Sequence, residues 1–353
     1  MTMRLTRSAD LKLKICYLKL GGELRHLTIF LHLPDIGRSS SRIIAGMKVG
    51  SHSLALVFLV CMACTALGHP SSGIVVNDQG EVFFVHSTVG LARLDAGGKL
   101  TYVHRTAGGH WVCLDRAGSF SRTQPKHFLR VTPDGVRPAM IFADGGAPIA
   151  VGRDGNLYYG SGGHEHEPGA ATVSRLSPDG TVSAFAPQLK EILARAHAGV
   201  TGLAAGADGL VHVASATGIY RIATNGLVTT LVERPDVKGC DANPPPDGLP
   251  GFQGLDVTTN GTVYAAATGC RALVKISPVG LLETVLTSER PWSPAAVALH
   301  DGDIYVLEWT NPNEGPAAGW RPRVRKLARD GKITTLITIA ENVSANRTPE
   351  SGK

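Results

Sequence analysis

Aromatic residues make up only 6% of the 353 residues and charged residues only 18%. The low charge, set against a 43% hydrophobic fraction, excludes an intrinsically disordered chain. No apolar run reaches the roughly 20 residues that a membrane-spanning helix needs, so the chain is not expected to span a membrane. Cysteine is scarce: Cys16, Cys61 and Cys64 lie early, and only Cys113, Cys240 and Cys270 follow. Three thiols cannot all pair with one another, so at least one of them stays reduced. No nucleophile elbow and no glycine-rich phosphate loop is present.

The net charge of +6 looks like a nucleic-acid signal until it is located. Residues 1–46 carry eight Lys/Arg against Asp10, Glu23 and Asp35, while residues 69–353 carry 26 of each sign. A neutral body sets up no global field to draw in phosphate backbones, so nucleic acid is excluded as a partner. One local cluster remains, Arg321, Arg323, Arg325, Lys326 and Arg329. Its first three members alternate, as on the solvated face of an outer strand.

Met47-Lys48 opens a short basic region, followed by the apolar run Leu54 to Ala63 and the small residues Ala66-Leu67-Gly68. This is the three-part pattern of a secretory signal peptide over 47–68, with the mature chain starting at His69. It implies a secreted or periplasmic protein, with lipoprotein anchoring at Cys64 as a minor alternative. Residues 1–46, ahead of that pattern, show no clean strand or helix period and are expected to be an upstream stretch before the true initiator, Met47. Asn260, Asn342 and Asn346 open sequons that matter only in a eukaryotic secretory host. The tail from about residue 340 is polar and expected to be disordered.

Glycine is abundant, with 42 residues, and much of it is periodic. Asp208-Gly209 and Asn225-Gly226 punctuate one unit; Asn260-Gly261 with Val279-Gly280, and Asp301-Gly302 with Asp330-Gly331, punctuate others. The second-turn glycines are Gly98, Gly135, Gly180, Gly226, Gly280 and Gly331, spaced 37 to 54 apart. Asp-Gly and Asn-Gly supply the positive φ of tight hairpins, and the flanking runs alternate as half-buried strands do. Six units of four short strands predict an all-β, six-bladed β-propeller over residues 69–339. Closure of the ring is expected either from packing alone or from a strand near Thr334–Ile339 meeting an early segment.

The units Gly202-Leu-Ala-Ala to Tyr220-Arg-Ile, and Gly254-Leu-Asp-Val to Leu273-Val-Lys-Ile-Ser-Pro278, resemble NHL repeats. The resemblance covers about residues 72–338 and extends to the broader gluconolactonase/regucalcin and strictosidine-synthase-like propellers. It implies the fold more than the chemistry, because the matching residues are turn glycines and strand cores. Where lactonases of that group carry an acidic metal ligand, this chain has Ser71-Ser72-Gly73; Thr201 and Gln253 precede the later Gly-Leu pairs, and Glu314-Gly315-Pro316 falls in a loop of the last unit. Neutral Thr and Gln are poor ligands for a divalent cation.

The first and second turns of each unit share one face of the ring. The loops between strands two and three, and between blades, share the other, which is taken as the binding face. Candidate ligand-binding residues there are His86, His110, Trp111, His164, His166, His197, Gln253, Trp292, Glu308 and Trp309. His110, His197 and Glu308 are the candidate ligands for a divalent metal. A Cys240–Cys270 disulfide is expected to clamp the loop there, leaving Cys113 as a buried filler; His212 reads as a core residue. The leading function is an exported, monomeric module that binds a small molecule, a glycan or a protein. The alternative is a metal-assisted hydrolase or lyase of lactone or sugar-like substrates.

Overall fold

The computed structural model describes residues 12–20, 23–32, 70–120, 128–133, 136–143, 146–161, 171–196, 198–238, 240, 249–311 and 320–340. The chain divides into two compact units near residue 67. In the first, strands β1 (Lys12–Leu20) and β2 (Glu23–His32) form an antiparallel hairpin with Lys12 opposite His32. A strand pair thus occupies a stretch with no clear period. The segment 47–68, with Cys61 and Cys64, and the tail beyond 340 lie outside the described residues.

The second unit is a six-bladed β-propeller. Blade one is β3 (Ile74–Val76), β4 (Val82–His86), β5 (Gly90–Leu94) and β6 (Leu100–Arg105). Blade two is β7 (Trp111–Asp115), β8 (Phe128–Val131) and β9 (Ala139–Ala143), and blade three is β10 (Ile149–Val151), β11 (Leu157–Ser161), β12 (Thr172–Leu176) and β13 (Val182–Ala184). Helix α1 (Pro187–Arg195) precedes blade four, which is β14 (Gly202–Ala205), β15 (Val211–Ala214), β16 (Gly218–Ile222) and β17 (Val228–Glu233). Blade five is β18 (Phe252–Val257), β19 (Val263–Ala267), β20 (Ala272–Ile276) and β21 (Leu282–Thr287), and blade six is β22 (Trp292–His300), β23 (Asp303–Thr310), β24 (Pro322–Leu327) and β25 (Ile333–Thr338). Five sheets keep simple up-and-down order, with the first strand at one edge.

Blade two departs from this pattern. Among the described residues it has three strands, in the order β7-β9-β8. After β7 the chain leaves the sheet, and Phe120 sinks into a cluster with Leu157 and Leu176. The place beside β7 goes to β9, Ala-Met-Ile-Phe-Ala, whose residues are all buried, while β8 takes the edge with Leu129 exposed. Burial, rather than chain order, decides which strand lies inside. Helix α1 has no counterpart in the repeat. Its Leu189 and Leu193, four apart and thus on one face, pack against Val173, Val200 and Tyr220. No helix among the described residues is long and apolar enough to cross a membrane.

Ring closure rests on packing. Among the described residues, strand β25 pairs only with β24, and the first sheet is built from β3 to β6. Across the seam, Ile74, Val82 and Phe84 of blade one join Ala296, Leu307, Trp309 and Ile339 in one apolar cluster. The Trp309 indole N–H donates to the Ser71 carbonyl at 3.0 Å.

Candidate functional site

Among the described residues each inner strand pairs on one side only, so its other edge, with peptide N–H and C=O groups outside the ladder, faces the axis. Six such edges enclose a cavity of about 610 Å³, lined by residues of all six inner strands. The lining runs from Ser72 and Trp111 at the loop side to Arg116, Arg153, Ala207 and Thr259 at the turn side.

The two ends differ. At the loop side, Ser72 Oγ donates to Gln253 Oε1 at 3.0 Å, a bond that joins blades one and five past blade six. Thr201 Oγ1 donates to the Phe252 carbonyl at 2.6 Å. Gly202 packs so closely on blade five that a Cβ there would stand 2.2 Å from the Gln253 carbonyl oxygen. At the turn side the wall ends in small residues and two exposed arginines. Arg116 pairs with Asp78, and Arg153 donates to the Ala207 carbonyl at 3.2 Å. The expected binding face is the loop side; the described cavity reaches further toward the turns, with blades four and five in close contact at Gly202 on the loop side.

Asp256 puts an acidic side chain in the cavity wall. Its Oδ2 accepts the Leu299 N–H of blade six at 2.8 Å, and its Oδ1 accepts the Val257 N–H at 2.8 Å. Each oxygen keeps a further lone pair for a ligand. Burial raises its pKa from 3.8 to about 6, against the two backbone donors and the charge of Arg116, which pull it down. The sequence signal for this residue is plain in retrospect. At the same distance before the first-turn glycine the other units carry Val75, Cys113, Ala150, Ala204 and Val297.

The other candidates fall into separate places. His164, His166, His197 and Glu314-Gly315-Pro316 lie outside the described residues. Among the described ligand-binding candidates, Trp111 alone lines the cavity. His110 is buried, and its carbonyl accepts the Ser72 N–H at 3.1 Å. His86 bonds the Tyr102 hydroxyl through Nδ1 at 2.8 Å and lies 6.0 Å from the Trp309 ring. Trp292 stacks on the Arg323 guanidinium at 4.3 Å. Glu308 is fully buried and is bonded by Arg323, Arg325 and Ser288, which occupy its two oxygens. Among the described residues no three His, Cys, Asp or Glu side chains are placed to hold a metal ion.

One expectation needs correction. Arg323 and Arg325 do not lie on a solvated strand face; each is 7% exposed. The carboxylate of Glu308, on the neighbouring strand, needs their charge in the space between blades five and six. His212 is buried, with neither ring nitrogen bonded. Cys240 and Cys270 form a disulfide with Cα atoms 4.1 Å apart, and Cys113 is free and buried.

Three of these groups set a pH dependence. Burial lowers His86 and His212 from 6.5 to about 4, while it raises Asp256 to about 6. The histidines stay neutral when folded, so their contribution is complete above pH 6.5 and is lost as pH falls through 4. Asp256 has the opposite sign: its contribution is complete below 3.8 and is lost as pH rises through 6. Two histidines outweigh one aspartate, so unfolding at pH 5 takes up about one proton net and acid destabilises the ring. Urea denaturation between pH 4 and 7 checks this; stability that rises as pH falls from 6.5 to 4 contradicts it.

No protein-family model matches the chain, and no curated protein matches it. Among solved structures it is similar to a luciferin-regenerating enzyme, at 14% identity over 72% of this chain and 96% of that one, with a TM-score of 0.48. It is similar also to regucalcin, a calcium-binding protein from Agrobacterium tumefaciens, at 14% identity over 68% and 82% with a TM-score of 0.46. A third is a catalytically inactive virginiamycin B lyase from Staphylococcus aureus with quinupristin, at 14% identity over 76% and 84% with a TM-score of 0.45. These likenesses are of architecture, at values that carry nothing about ligand or reaction.

Proposed function

We propose that this propeller is a receptor for a small polar molecule, held in the axial cavity and admitted from the turn side. The observation that carries the reading is the cavity of about 610 Å³, whose wall of strand edges and mostly apolar side chains holds, among the described residues, one carboxyl, Asp256. That volume is in the range of ordinary ligand pockets. Peptide N–H and C=O groups orient a polar ligand by hydrogen bonds, and Asp256 adds an acceptor that becomes a donor when protonated. The protein is exported under this reading: residues 47–68 serve as the signal, and the Cys240–Cys270 disulfide suits an oxidising compartment.

The pKa of Asp256 near 6 favours a second reading, an enzyme that uses this carboxyl for proton transfer near neutral pH. A ligand-observed NMR screen with sugars, lactones and amino acids tests the first reading. Binders found on the wild type are expected to lose at least ten-fold in affinity in Ala207→Trp, which fills the turn-side mouth. They are expected to persist in Gln253→Leu, at the opposite end. Hits indifferent to Ala207→Trp would refute the turn-side site; turnover of a hit, abolished in Asp256→Asn, would establish the enzyme.

A further inference from the structure

A second group of charged side chains lies away from the cavity, between blades five and six at the loop side. Arg323 and Arg325 share one sunken carboxylate, Glu308, and one outer carboxylate, Glu289. The two carboxylates are not alike. Glu308 has a fully buried side chain, whereas that of Glu289 is 60% exposed on the segment joining the blades. Both arginine side chains are more than nine-tenths buried.

The donors on the Glu289 side are arranged for an oxyanion. Arg323 Nη1 bonds Glu289 Oε1, and Arg325 Nη1 lies 3.8 Å from Glu289 Oε2. Stacking on Trp292 fixes the plane of the Arg323 guanidinium. Among the described residues, two donors have no hydrogen-bond partner, Arg323 Nη2 and Arg325 Nε. With Glu308 committed, the pair carries one positive charge, which Glu289 balances among the described residues. Planar guanidinium forks with spare donors are the usual receptors for carboxylate and phosphate.

We propose that Arg323 and Arg325 form an oxyanion-binding site whose resting occupant is Glu289, and that a carboxylate or phosphate group of a ligand takes its place. Glu289 is the exchangeable partner because it stands at the solvent boundary, where its own hydration offsets what it loses on leaving. The bond from Arg323 holds its carboxyl below the ordinary value, so it stays ionised and competes with added anions across the neutral range. The wild type therefore binds free anions weakly, and removal of Glu289 exposes the site.

The test uses inorganic phosphate and acetate as probes, with chloride at matched ionic strength as the reference. In Glu289→Ala, phosphate or acetate is expected to bind at least ten-fold more tightly than in the wild type, read from the concentration dependence of the melting temperature. A response to phosphate alone assigns the site to phosphate-bearing ligands, and a response to acetate to carboxylates. The additional variant Arg323→Lys, which loses the planar fork, removes the gain when combined with Glu289→Ala. Glu289→Gln provides a second readout with the side-chain length preserved. If neither Glu289 variant responds to phosphate or acetate beyond chloride, the proposal fails.

Discussion

Replacing Glu308 with alanine lowers the stability of the propeller by about 3–5 kcal/mol, as removal of one partner from a buried ion pair does. The loss has one origin. Arg323 and Arg325 are each 7% exposed and meet at Glu308, and Ser288 adds a third donor. Without the inner carboxylate, two guanidinium groups remain in a space where water cannot replace it, and Glu289 can balance only one of them. Thermal denaturation should show a fall on the order of 10 °C for a domain of this size. Replacing all three charged groups together by apolar residues of similar volume should cost far less than the single change. A Glu308→Ala variant that melts within 2 °C of the wild type would show that the arginines are solvated.

The second large effect is expected at Trp309. Trp309→Ala removes a side chain 2% exposed from the seam cluster, together with its bond to the Ser71 carbonyl. Truncation of a buried tryptophan costs about 3–5 kcal/mol. The location of the loss matters more than its size. Among the described residues no strand is exchanged across the seam, and blades one and six are held by this packing. Hydrogen exchange should therefore quicken first in β3, β4, β22 and β23, while blades three and four keep their protection. Uniform loss of protection around the ring would contradict a seam held mainly by Trp309 and its neighbours.

The architecture was legible because turn chemistry is local. Asp-Gly and Asn-Gly pairs at regular spacing, such as Asp208-Gly209 with Asn225-Gly226, announce hairpins whatever surrounds them. The departures came from burial, which spacing does not report. The stretch Ala139–Ala143 carries no turn signal, yet takes an inner place because every residue in it is apolar. Helix α1 lies in what reads as a variable connection, and only Leu189 and Leu193 mark it.

The site was less legible for the same reason. Histidines and tryptophans in loops carry the visible chemical signals, whereas the axial cavity is walled by strand edges and mostly apolar side chains, with Asp256 the acidic one among the described residues. Asp256 sits within an apolar strand pattern and shows itself only when the six units are superposed. Alternation placed Arg323 and Arg325 on one face; it did not say that Glu308 would turn that face inward. The cysteine pair was accessible because two loops on one face limit which thiols can meet.

The seam also bears on how the chain is made. Ser71 leaves the ribosome long before Trp309, which lies 238 positions further along the chain. Until the last blade emerges, the face of Ile74, Val82 and Phe84 that meets blade six is uncovered, and the nascent chain presents an apolar flank. Five blades can settle in order of synthesis, each on the one before. The first and last must then wait for each other, which makes the newest blade the one that completes the oldest.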